Sequence, residues 1–146
     1  MSNYRLIPTD LSLAHALARL GLGINIAAHG LARIGDISGF AASMEKMFAA
    51  SWLPSFAVKA MGYCIPPSEL TIGILLILGL FLRPVLVIGT LLLYLLTFGS
   101  TLIQQWEVAG LQLIYIGLYS VLLATAGFDR FSVEAWRART RSNLRS

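Results

Sequence analysis

A single cysteine, Cys64, excludes an internal disulfide, a CxxC pair and a cysteine-rich metal site. Histidine is almost as scarce. His15 and His29 are the two present, and along one helix they would stand about 21 Å apart, too far to share a metal. Haem ligation by histidines from two helices is excluded by the same shortage. Charged residues make up 12% of the chain against 57% hydrophobic residues, with mean hydropathy +0.75, a balance that does not suit a soluble globule. There is no GxGxxG nucleotide loop and no low-complexity segment, and no buried acidic residue is available to orient a Ser-His-Asp triad.

What the sequence has is apolar runs of membrane-spanning length. The expected fold is all-α and integral to a membrane: an antiparallel four-helix transmembrane bundle forming one domain over residues 1–146, with spans at about 12–34, 69–82, 85–103 and 108–126. Residues 1–11 form a polar lead, and Thr9, Asp10 or Ser12 is a candidate cap for the first span. Between the first two spans, residues 36–67 carry Phe40, Met44, Met47, Phe48 and Trp52 at helical spacing beside Glu45 and Lys46. That pattern predicts an amphipathic segment lying along the membrane interface. Pro66-Pro67 is expected to close this loop, Ser68 to cap the second span, and Arg83-Pro84 to break the second span from the third.

The net charge of +4 is unevenly placed. Five of the eleven basic residues, Arg130, Arg137, Arg139, Arg141 and Arg145, lie in the last 17 positions. A basic tail over 128–146 reads as a positive-inside signal rather than a nucleic-acid surface, and it places both termini in the cytoplasm of a bacterial-type inner membrane. The first apolar run is full-length and interrupted by Arg19, so it reads as a retained span rather than a cleaved signal.

That first run is also too polar to be a plain lipid-facing helix. Positions 15, 19, 22, 26, 29 and 33 fall within a sector of about 80°, so His15, Arg19, His29 and Arg33 share one face. Ionisable groups inside a span face the bundle interior or a hydrated cavity. Antiparallel packing brings Arg33 and Glu69 to one end of the bundle together with Gln104 and Glu107, with His29 about one turn below. Deeper, Thr90, Tyr94, Thr97, Thr101 and Gln104 share a face of the third span, and Gln112, Tyr115 and Tyr119 share a face of the fourth. Arg19 has no carboxylate within any span at its depth. Its expected partners are tyrosine hydroxyls of Tyr94 and Tyr119, backbone carbonyls, water, or an anionic or carbonyl-bearing ligand. The competing reading of these positions is structural: salt-bridged or snorkelling helix ends at Arg33, Glu69 and Glu107, and interhelical hydrogen bonds for the tyrosine, threonine and glutamine stripes.

Three strings resemble the DoxX family of small four-span membrane proteins, which includes the DoxD-type subunit of thiosulfate:quinone oxidoreductase. They are ARLGLGINIAAHGLARI in the first span, ELTIGILLILGLFLRP in the second, and the closing GFDRFSVE. The resemblance implies a redox-associated membrane subunit, linked to quinones or to sulfur and thiol oxidation, working beside a protein partner or within a larger membrane complex. The ligand expected is a quinone-type or similar amphipathic molecule, held by Arg19, Tyr94 and Tyr119, with His29, Arg33 and Glu69 relaying protons and Gln112 and Tyr115 lining the site. A structural accessory subunit and a small-solute or proton pathway along the first-span stripe are the alternatives.

Overall fold

The computed structural model describes residues 7–143, so residues 1–6 of the expected polar lead and Arg145 of the basic tail lie outside the described residues. Six helices follow one another: α1 (Pro8–Ile34), α2 (Ile37–Met47), α3 (Ser55–Leu78), α4 (Leu82–Leu102), α5 (Trp106–Ala124) and α6 (Val133–Asn143), with a 3-10 turn at Ala126–Phe128 before the last. No strand occurs among the described residues. Helices α1, α3, α4 and α5 are each long and apolar enough to cross a membrane.

Local chemistry sets most of the boundaries. Pro8 opens α1 at its first position, where its missing N–H has no intrahelical acceptor to lose. The expected caps therefore fall inside the helix, and the Ser12 hydroxyl donates back to the Pro8 carbonyl at 2.9 Å. Asp36 caps α2, accepting from the Gly39 backbone N–H at 2.9 Å. The end of α3 is a Schellman turn: Gly79 adopts φ +64, its N–H donates to Leu76, and Leu80 N–H donates to Leu75. The break thus sits at Gly79–Phe81, earlier than Arg83-Pro84. Pro84 lies in the first turn of α4, where it costs no helical hydrogen bond.

The largest departure from expectation is the start of α3. The helix begins at Ser55 and runs straight through Pro66-Pro67, so Ser68 is not a cap; its hydroxyl donates to the Cys64 carbonyl at 2.8 Å. Two prolines remove the N–H groups that would bond the carbonyls of Gly62 and Tyr63. Tertiary packing overrides that loss. Pro66 is fully buried, and Ala41 of α2, with no exposed surface, packs directly on Gly62.

The helices pair in two layers, α1 with α3 and α4 with α5, while α2 covers the first half of α3. Contacts across α1 and α3 run in opposite order, Gly23 against Gly73 and Ile77, Gly30 against Pro66 and Leu70, so these two are antiparallel. A side chain at Gly30 would meet α3 backbone, which is why the seam closes so tightly there. Leu22, Ile72, Leu76, Leu86, Leu122 and Tyr119 form the centre of the core. The outer surface is apolar instead of charged, with Leu17, Ile24, Leu91, Leu113 and Ile114 all exposed, as a lipid-facing bundle requires. Exposed aromatics ring both ends: Trp52, Phe56 and Trp106 at the α2 end, Phe81, Phe131 and Trp136 at the α6 end. The 19 residues of α5 between them span about 28 Å, close to the thickness of a hydrocarbon core.

Candidate functional site

The two layers part at the α2 end and leave between them a half-open cavity of about 480 Å³. From α1 it receives Asn25, Ile26, His29 and Arg33, four residues that helical spacing stacks on one face. From α2 come Phe40, Met44 and Met47, with Phe48 just past its end, from α3 Met61, Ile65 and Glu69, from α4 Leu92, Leu96 and Ser100, and from α5 Leu111, Gln112 and Tyr115. The methionines are flexible and polarisable, which suits a wall that adapts to a flat apolar molecule.

Polar groups are few and grouped. Arg33 Nη1 donates to both carboxylate oxygens of Glu69 at 2.6 Å, and the Arg33 guanidinium carbon lies 5.0 Å from the Phe40 ring centroid. The Glu69 side chain is 6% exposed and that of Arg33 32%, so the pair closes the cavity edge with its charges neutralised. Gln112 Oε1 is buried and has no hydrogen-bond partner among the described residues. In an apolar interior that is a costly group to leave unpaired. Gln105 Nε2 reaches Met47 Sδ at 3.6 Å, and Phe48 lies against Gly99, so the end of α2 bridges to α4 across the cavity.

Five of the expected site residues therefore converge: His29, Arg33, Glu69, Gln112 and Tyr115. Three do not. Tyr94 is more than half exposed on the outer face of α4. Tyr119 is fully buried against Gly89 in the core and is not among the cavity-lining residues. Arg19 sits at the opposite end, where protein carbonyls hold both of its terminal nitrogens and its Nε makes no hydrogen bond among the described residues. Its guanidinium donates to the carbonyls of Leu76 and Ile77 at the end of α3 and, at 3.1 Å, to that of Phe131. Its Nε lies 3.9 Å from Asp129. No span supplies that carboxylate: Asp129 comes from the segment after α5, which folds back under the bundle, and of the expected partners it is backbone carbonyls, not tyrosine hydroxyls, that Arg19 reaches. The cation also sits on the negative end of the α3 dipole. Nearby, His15 Nδ1 lies 2.8 Å from Thr125 Oγ1, which puts the start of α1 and the end of α5 at the same end.

The inward face of α1 is interrupted between these two polar ends. Leu22, Gly23 and Ile26 separate Arg19 from His29 and are all buried, as are Ile72 and Gly73 between Leu76 and Glu69 on α3. The polar stripe is two separate clusters divided by an apolar layer. The threonine stripe of α4 is used within its own helix, Thr90 donating to Leu86 and Thr97 to Leu93, each at 2.8 Å. Gln104 and Glu107 are exposed at the α4–α5 turn and do not line the cavity.

Sequence reasoning missed the α2 contribution. The signal was legible in the Phe40, Met44, Met47, Phe48 spacing, but those four line the cavity, Met47 remaining about half exposed, while Trp52 is mostly exposed and lies outside it. No grouping of three or more His, Cys, Asp and Glu able to hold a metal occurs among the described residues. The DoxX family model matches residues 14–106, well over half of the chain. The match covers His29, Arg33 and Glu69 and stops before Gln112 and Tyr115. No curated protein and no solved structure matches the chain.

Proposed function

The chain belongs to the DoxX family, and we propose that it is a redox-associated inner-membrane subunit that holds a quinone-type ring in the cavity at the α2 end. The observation that carries this reading is the cavity itself: about 480 Å³, walled by methionine, leucine and phenylalanine, with a buried unpaired amide oxygen at Gln112. That volume lies within the range of small-molecule sites, and a few polar groups in an apolar wall are what orient a flat amphipathic ligand.

The residues present fit such a group. His29, Gln112, Tyr115 and Asn25 line the cavity with donors and acceptors suited to ring oxygens. Glu69, neutralised by Arg33, stands at the cavity edge, where it and His29 are placed to exchange protons with water at that end. A bound quinone-type ring supplies the electron-accepting chemistry that no side chain of this chain carries. The electron donor is then a partner protein or complex, with sulfur or thiol oxidation as the associated chemistry. The excess of exposed arginine at the α6 end supports a cytoplasmic placement of both termini.

Quinone content, measured by mass spectrometry after gentle purification from the host membrane, tests this. Wild-type protein is expected to retain a near-stoichiometric quinone, and His29→Leu and Gln112→Leu to lose most of it. Wild-type protein purified free of quinone, and failing to take up added quinone in nanodiscs, would overturn the reading.

A further inference from the structure

The cavity leaves the most basic surface of the molecule without a role. Eight residues separate helix α6 from the end of α5, and the helix is anchored to the bundle end instead of hanging free. Arg19 holds the Phe131 carbonyl and pairs with Asp129, the Ser132 hydroxyl caps α6 by accepting from Ala135 N–H at 3.0 Å, and Ser132 is buried. Arg139 Nη2 donates to the Arg130 carbonyl at 2.6 Å, fastening the helix to the strap before it. Four spans fix the bundle in the bilayer, so an element tied to their end is held at headgroup depth.

The composition of that element matches its depth. Around α6, Trp136, Thr140, Val133, Arg137 and Arg141 fall within an arc of about 140°, with the indole at one edge and two guanidinium groups toward the other. Trp136 and Phe131 are 63% and 58% exposed. Arg83, Arg130, Arg137 and Arg141 are exposed at this end and outnumber its exposed acids Asp10 and Glu134, whereas Asp129 is paired with Arg19. The α2 end has no such excess: Arg33 is paired with Glu69 and Lys59 with Glu45, and the remaining base Lys46 is outnumbered by the acids Asp36 and Glu107 of the same end.

We infer that the α6 face is a binding surface for the phosphate headgroups of anionic phospholipid in the adjacent leaflet. Trp136 enters the interfacial region, and Arg137 and Arg141 engage phosphate through the planar fork that suits that anion. The inference is independent of what occupies the cavity. A basic side chain at an anionic membrane surface contributes about fivefold in affinity, so two together contribute about 30-fold.

The test uses the full chain in phosphatidylcholine nanodiscs, with Trp52→Phe and Trp106→Phe leaving Trp136 as the reporter among the three tryptophans. Both replaced residues are exposed, far from the core. Brominated phosphatidylglycerol added in steps is expected to quench Trp136 at much lower mole fraction than brominated phosphatidylcholine, and high salt to abolish the difference. Adding Arg137→Gln and Arg141→Gln is expected to weaken the phosphatidylglycerol preference by about 30-fold. Equal quenching by the two lipids would overturn the inference, as would an unchanged preference in the double variant. Quenching by neither lipid would place the face off the membrane, against a protein partner, and overturn it as well.

Discussion

Arg33 places one guanidinium nitrogen 2.6 Å from both oxygens of Glu69, across the seam where α1 and α3 meet at the cavity edge. The two charges depend on each other unequally, because Glu69 is the more deeply buried. Arg33→Leu strands a carboxylate in an apolar surrounding and is expected to cost about 3 kcal/mol, the low end for a buried pair since Arg33 is partly solvated. Arg33→Leu combined with Glu69→Leu is expected to recover most of that loss. Thermal unfolding of the three variants in one detergent checks it; a double variant as unstable as the single would mean that the pair itself, and not the stranded charge, matters.

Arg19 is expected to be a stability residue and not a ligand residue. Removing it frees three carbonyls and leaves Asp129 buried without its cation, so Arg19→Leu is expected to destabilise by about 3–5 kcal/mol. Arg19→Lys is expected to rescue little, because a single ammonium cannot reach the end of α3 and Phe131 together. Folded Arg19→Lys protein should keep its full quinone content. A loss of quinone without a loss of stability would return Arg19 to the binding site.

Gly30 tests the packing that carries the cavity. Its missing side chain lets α1 approach the α3 backbone at Pro66 and Leu70, and backbone cannot move aside as a side chain can. Gly30→Val is expected to cost about 3 kcal/mol and to disturb the Arg33–Glu69 register one turn away. Gly21→Ala is the control, since Gly21 faces open space. Comparable melting temperatures for the two would contradict the close seam.

How much of this was readable in the sequence depended on where each signal lay. The four spans followed from apolar run length, and the inward face of α1 from the 3.6-residue period through His15, Arg19 and Arg33. The start of α3 did not, because Pro66-Pro67 looks like a loop until Ala41 is seen packed on Gly62. Asp129 was missed as the partner of Arg19 because depth was assigned only to residues inside spans, whereas the strap carrying Asp129 returns beneath them. The Phe40 to Phe48 stripe was read correctly as amphipathic and given the wrong neighbour. An apolar helix face says that it is buried, not whether lipid or protein buries it.

Ser100 offers the sharpest separation of cavity from core. It is 8% exposed on α4, lines the cavity, and makes no side-chain hydrogen bond among the described residues. Ser100→Phe replaces a small polar group with a ring projecting into existing space, so stability is expected to hold within about 1 kcal/mol. Quinone retention should fall as steeply as in Gln112→Leu, because the ring occupies the volume the ligand would use. Tyr94→Phe, on the outer face of α4, should leave retention unchanged. Measured in parallel, a Ser100→Phe protein that folds and still carries wild-type quinone would show that the ligand sits outside the cavity.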